Sequence, residues 1–157
     1  MNRYLIALIA TVALCVIAAR SAVPAENPAD VLALHEVEIV FHQAASTKDL
    51  DLMMSLFSDD ANLTVGGKTY TGKDQIRTYF ETVAGPFKPK NHWYAYTPAQ
   101  RIRISIQDDR ATLYFQCLYM DVVGRDIGAH TFSDDILVRS SGKWLIKEMK
   151  AGLVDEL

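Results

Sequence analysis

Residues 56–80, LFSDDANLTVGGKTYTGKDQIRTYF, change structural character three times over a short span. Ser58-Asp59-Asp60 reads as the end of a short helix, residues 61–65 read as a strand, and Gly66-Gly67 supplies a turn open to positive φ. Thr71-Gly72-Lys73-Asp74 then forms an approximate capping box that starts a helix through Val83.

Working upstream, Asp30 can cap a helix over residues 30–45, on which Val31, Leu34, Val37, Phe41 and Ala44 recur at helical spacing. A second helix over residues 49–57 turns Leu52, Leu56 and Phe57 inward, with Met53 and Met54 as adaptable filler. Downstream, Ile76, Tyr79, Phe80 and Val83 make the apolar face of the third helix, and Pro86 and Pro89 bracket a loop. After Asn91 the pattern becomes strands over residues 93–97, 100–107, 111–123, 127–139 and 143–150. Helices followed by a strand meander indicate an α+β domain.

Turn chemistry sets the expected strand faces. A two-residue loop at Asp108-Asp109 places Ile104 opposite Leu113, and one at Gly124-Arg125 places Tyr119 opposite His130 and Cys117 opposite Phe132. These registers put Ile102, Ile104, Ile106, Leu113, Phe115, Cys117, Tyr119, Phe132, Ile136 and Val138 on one face, together with the polar Asp121, His130 and Asp134. Unpaired polar groups on such a face would cost about 1–3 kcal/mol each, so they are either satisfied or used. For the last hairpin two readings stay open. A two-residue loop at Ser141-Gly142 sends Leu145, Lys147 and Met149 inward, whereas a three-residue loop sends Trp144, Ile146 and Glu148 inward.

The first residues stand apart. Arg3 precedes an apolar run, residues 4–19, that gives way to Ala22-Val23-Pro24-Ala25, which reads as a secretory signal peptide over residues 1–25 followed by one domain over residues 26–157. The run of about 16 apolar residues falls short of the roughly 20 that a spanning helix needs. A stable membrane anchor after cleavage is therefore not expected, nor is lipidation of Cys15, which follows Leu14 rather than a small residue. Removing Arg3 and Arg20 from the 16 basic residues leaves 14 against 19 acidic ones, a net charge of −5, which disfavours a nucleic-acid partner. Cys117 remains alone, so burial is its expected state.

The segment 56–80 resembles the signature of SnoaL-like members of the nuclear transport factor 2-like superfamily, and the resemblance runs over residues 30–150. Its second part comprises Asn91-His92-Trp93, Ile104, the Asp108-Asp109 turn, the stretch 132–139 (FSDDILVR) and the stretch 142–146 (GKWLI). This part is similar to the branch that includes scytalone dehydratase and to the small subunits of aromatic-ring dioxygenases. The resemblance implies a cone-shaped α+β fold, three N-terminal helices packed on a curved, mainly antiparallel mixed sheet. It implies a pocket that hosts isomerases, dehydratases, cyclases, hydrolases and non-catalytic binding proteins, so the fold does not name the chemistry.

In the dehydratase a histidine at the position matching His92 takes part in acid–base chemistry, with a second histidine on the next long strand. Here that strand carries Tyr114, Gln116 and Tyr119, and His130 follows one strand later. The steroid isomerases place their aspartate base at a position matching Val65, where this chain has no carboxylate, so that mechanism is rejected. The candidate catalytic set is His92, His130, Asp134 and Asp121. Histidines titrate near working pH and a carboxylate can orient them. The competing reading makes them ordinary loop and sheet residues. Tyr119, Phe115, Phe132 and Trp93 are the candidate substrate-binding residues, suited to an apolar or aromatic ligand. The expected function is an exported small-molecule-pocket protein, acid–base enzyme or not. The alternative is a non-catalytic ligand-binding or dimerisation module, with a homodimer formed through the sheet.

His35, Glu38 and His42 share one helix side, but seven residues span about 10 Å, too far for both imidazoles to reach one ion. A solvated face with Glu38 and His42 interacting is the reading adopted, and no metal or cofactor is expected. Gly67 to Lys73 has phosphate-loop spacing, but Asp74 replaces the Ser or Thr such loops need. A sequon at Asn62-Leu63-Thr64 and a C-terminal Val154-Asp155-Glu156-Leu157 keep an endoplasmic-reticulum location open behind a periplasmic or secreted one.

Overall fold

The computed structural model describes residues 27–154. The expected signal peptide, Cys15 and most of the C-terminal tail lie outside the described residues.

Three helices precede most of the sheet. Helix α1 (Pro28–Thr47) is capped by Asn27, whose side chain accepts from Ala29 N–H, and Pro28 sits in its first turn, where a missing N–H costs nothing. Asp30, the expected cap, instead accepts from Arg139 at 2.8 Å and from the Trp144 indole at 3.3 Å, tying the first turn of α1 to the last hairpin. Asp49 caps α2 (Leu50–Ser55) through Leu52 N–H.

Strand β1 (Phe57–Val65) begins earlier than expected, so Asp59 and Asp60 lie in the strand rather than ending a helix. It turns at Gly66-Gly67, both at positive φ, into the short β2 (Lys68–Thr71), which the sequence reading missed. Helix α3 (Lys73–Thr82) starts at Gly72 with no side-chain cap; the Gln75 side chain accepts from Thr71 N–H, and the Thr71–Asp74 capping box does not form.

A 3₁₀ turn, η1 (Gly85–Phe87), leads to β3 (Trp93–Ala95), β4 (Gln100–Gln107), β5 (Arg110–Asp121), β6 (Asp126–Ser140) and β7 (Lys143–Leu153). The sheet runs β2-β1-β7-β6-β5-β3, with β4 also paired to β5. The β1–β7 pairing is parallel and the others are antiparallel, so the sheet is mixed but mainly antiparallel, as expected. The buried core packs Leu34, Val37, Phe41 and Ala44 of α1 against Phe57, Leu63, Phe115, Leu137 and Ile146 of the sheet.

The β4–β5 register is the expected one, with Ile104 opposite Leu113. The β5–β6 register is not. Cys117 pairs with Thr131, Phe115 with Ser133 and Leu113 with Asp135. Two features cause the change. The turn spans Val122 to Arg125 because Asp121 pairs with Asp126 and its carboxylate accepts from Val123 and Gly124 N–H. A register shift then leaves Gly128 unpaired between Ile127 and Ala129. A bulge of one residue reverses the side-chain parity of everything beyond it. Ser133, Asp135 and Leu137 therefore join Phe115 and Leu113 in the interior, while Asp134 is exposed and Phe132, Ile136 and Val138 are only half-buried.

The last hairpin combines both open readings. Ser140 pairs with Lys143 across a two-residue loop, yet Trp144 and Ile146 are buried, and an irregularity near Lys147 then brings Met149 inward.

Candidate functional site

The helices and the concave sheet face enclose a cavity of about 310 Å³. Phe41 and Ala45 of α1, Met53 of α2, and Tyr79 and Phe80 of α3 form one side. Phe115, Tyr119, Ser133, Met149 and Ala151 of the sheet form the other, with Gly85, Pro86, Phe87 and Trp93 beside them. The four-residue spacing of Phe41 and Ala45 puts both on the face of α1 turned to the cavity.

The aromatic wall is built by edge contacts. Phe41 meets Phe115 at 5.8 Å and Phe80 at 6.3 Å, both near perpendicular, and Phe80 meets Phe87 at 5.4 Å. Trp93 and Tyr119 lie 5.8 Å apart at 33°. Glycine makes room for two of the rings. A Cβ on Gly152 would lie 2.9 Å from Phe132, and one on Gly128 would fall within the indole of Trp93.

One cation ties the loop beside the cavity to the end of α1. Lys48, at the left-handed C-cap of α1, donates to the carbonyls of Pro86 (2.8 Å), Lys88 (2.9 Å) and Asn91 (2.7 Å). Asn91 in turn accepts from Trp93 N–H, which sets the start of β3.

Few polar groups reach this wall. Tyr119 is almost fully buried, and burial, reinforced by Cys117, raises its phenol well above the usual value. Tyr79 is raised for the same reason, with Tyr70 adding to it. Ser133 Oγ donates to Asp135 Oδ1 at 2.6 Å. Asp135 is 1% exposed, and its Oδ2 has no hydrogen-bond partner among the described residues. Burial pushes its carboxyl up to about 8, against the opposing bond from Ser133, so it is mainly neutral near pH 7.

A second buried pair lies behind the wall. His42 Nδ1 is 2.6 Å from Glu38 Oε1, close enough for an ion pair but off the line of an N–H hydrogen bond. Both residues are wholly buried, which corrects the expectation of a solvated face although their interaction is real. Glu38 also accepts from Ala99 N–H, and the His42 ring stands edge-on to Phe115 at 5.4 Å. Cys117 is buried as expected, its thiol pushed up to about 12 chiefly by burial. Among the described residues no three His, Cys, Asp or Glu side chains are grouped to hold a metal ion.

Of the residues singled out from sequence, Tyr119, Phe115, Phe132 and Trp93 all line the cavity. His92, His130, Asp134 and Asp121 do not. His92 and Asp134 are exposed, and Asp121 holds the β5–β6 turn, its carboxyl lowered by Gly124 and Val123 N–H and then by His92. His130 is half-buried, paired with Leu118 rather than Tyr119. The structure places His92 beside Asp121 but does not gather the four around one space. Ser133 and Asp135 were missed because the assumed register turned their strand over; the signal available was Gly128, a glycine within a strand pattern, which marks a bulge.

Residues 29–150 match the family model described as the SnoaL-like domain. No curated protein sequence matches the chain. Among solved structures, a protein of unknown function with a cystatin-like fold from Nostoc punctiforme superimposes with a TM-score of 0.72 at 17% identity, covering 83% of this chain and 96% of that one. A nuclear transport factor 2-like protein with a cystatin-like fold from Novosphingobium aromaticivorans gives 0.66 at 16%, covering 82% and 84%. A hexachlorocyclohexane dehydrochlorinase from Novosphingobium barchaimii gives 0.65 at 18%, covering 80% and 86%. At these identities the likeness carries the fold and not the chemistry.

Proposed function

The chain belongs to the SnoaL-like domain family, and from that premise we propose that it is an exported protein whose cavity binds a small apolar or aromatic metabolite. The cavity itself carries the reading. Its 310 Å³ lies at the low end of the range for small-molecule sites, and aromatic and aliphatic side chains with few hydroxyls form its wall. Burial of a single aromatic ring there is favoured at about 25 cal/mol per Å² of apolar surface removed from water.

The test is to purify the exported protein from its own secretory route, sequence its N-terminus, and analyse it by native mass spectrometry. Maturation near Ala25 and a co-purifying molecule of one or two rings are expected. A protein that arrives empty and takes up no apolar aromatic probe would defeat the binding reading.

A second reading, an acid–base enzyme of the dehydratase or isomerase kind, is favoured by the protonated carboxyl behind Ser133 at the cavity wall. The structural likeness to a dehydrochlorinase is consistent with it. In that reading His92 and Asp121 flank the wall residue Trp93 at the β3–β5 edge. Detection of a converted product distinguishes an enzyme from a binding module.

A further inference from the structure

Ser133 differs from the other polar groups along the cavity in having a buried carboxyl behind it. A serine on an apolar wall ordinarily turns its hydroxyl back to a nearby strand carbonyl and offers a ligand little. Here Asp135, two residues on and facing the same side of β6, holds the hydroxyl at 2.6 Å. No lysine or arginine side chain is paired with that carboxyl among the described residues, and Oδ2 is left without a partner. Burying a charge there unpaired would be costly, so the geometry favours the neutral acid.

A neutral acid can act in either direction. With the proton on Oδ1 the 2.6 Å bond runs opposite to its direction with an ionised acid: Asp135 donates to Ser133 Oγ, and the serine hydroxyl is then free to donate into the cavity. A carboxylate could only accept, and would keep the serine proton for itself.

We propose that Ser133 is the polar anchor of the cavity, oriented by Asp135, and that it seats the carbonyl oxygen of an otherwise apolar aromatic ketone or aldehyde. The inference rests on the reading of the cavity as a ligand site. Asp135 is a positioning residue, acting on the ligand only through Ser133. Around the anchor, Phe115, Ala151 and Met149 leave the rest of the ligand an apolar environment.

Two probes of matched shape test the assignment on the full mature chain: acetophenone, and α-methylstyrene, which replaces its carbonyl oxygen with a methylene. Binding is followed by titration calorimetry. The wild-type protein is expected to bind both, acetophenone more tightly. Ser133→Ala is expected to weaken acetophenone by about fivefold or more, the net worth of one hydrogen bond, and to leave α-methylstyrene unchanged. Asp135→Ala is expected to weaken acetophenone in the same selective way, and Asp135→Asn, whose amide can still hold the serine, to restore part of the affinity. Equal effects of Ser133→Ala on both probes, or none on either, overturn the anchor while leaving the cavity reading intact. Failure of the wild-type protein to bind either probe overturns the cavity reading and the anchor with it. Ser133→Ala removes one oxygen only, so a loss of fold in the Asp135 variants leaves the decisive comparison available.

Discussion

The indole of Trp93 lies over Gly128 so closely that a Cβ at residue 128 would sit 2.6 Å from Cε2 of the ring. The same glycine is the unpaired residue of the β5–β6 bulge. One position thus sets the parity of β6 and gives Trp93 its place beside the cavity.

Gly128→Ala is therefore expected to displace Trp93, because the obstruction is a rigid ring rather than a flexible tip. Overpacking of this kind costs about 1–3 kcal/mol. A lower denaturation midpoint, shifted tryptophan emission and weaker binding of α-methylstyrene are the expected results; unchanged emission would show that the indole is not held there.

Asp135 makes stability depend on pH in a particular direction. Its carboxyl is raised from 3.8 to about 8 in the folded protein, so between these values the folded state holds a proton that the unfolded state has lost. Its stabilising contribution is full below about pH 4 and declines as pH rises toward 8, by at most about 1.4 kcal/mol per pH unit. Urea titrations of wild type and Asp135→Asn across pH 5 to 8 should show the variant gaining relative to wild type as pH increases. A constant difference would mean that Asp135 is ionised throughout.

Lys48 is a clamp on the segment that carries Pro86 and leads to Trp93. Lys48→Met keeps the aliphatic stem but removes three donors to the carbonyls of Pro86, Lys88 and Asn91. Each hydrogen bond from a charged group is worth about 1.5–3 kcal/mol net of exchange with water. Faster amide exchange over residues 86–93 and quicker tryptic cleavage after Lys90 are expected, Lys88 being protected by the following Pro89, with exchange in β6 and β7 little changed.

For the Glu38–His42 pair, removing one member should be worse than removing both. Glu38→Ala leaves a buried imidazole without its partner and is expected to cost about 3–5 kcal/mol. The double variant Glu38→Leu, His42→Phe should recover much of that loss, although Ala99 N–H then loses its acceptor. A double-mutant cycle of Glu38→Leu, His42→Phe and their combination, followed by chemical denaturation, measures the coupling.

His92→Ala tests the outer residues. His92 is exposed and does not line the cavity, so the affinity of the cavity for α-methylstyrene should change by no more than about 0.5 kcal/mol, as for a surface substitution. A larger loss, measured by the same calorimetry, would bring His92 back to the ligand.

The element order was legible because periodicity and turn residues are local. Residues 100–107 were read as a strand and are one, and the second helix, read from residue 49, begins at Leu50 with Asp49 as its cap. The aromatic residues expected at a ligand proved to be wall residues, since Phe115, Tyr119 and Trp93 are too large and apolar to leave in water. The titratable residues were harder. Glu38 and His42 look like surface residues on a helix, and nothing local to α1 says that β5 will cover them.

Sequence by itself determined the α+β class, the helices and, β2 apart, the strands within a few residues, the apolar face of α1 and the negative balance of charge. These follow from side-chain pattern and backbone preference over a few turns or pleats. Tertiary structure decided which carboxylates face the interior. The strand FSDDIL carries adjacent aspartates, and alternation alone offers Asp134 or Asp135 equally well. The choice was made at Gly128, where β6 takes up one extra residue beneath the Trp93 indole and so turns Ser133 and Asp135, rather than His130 and Asp134, toward the core.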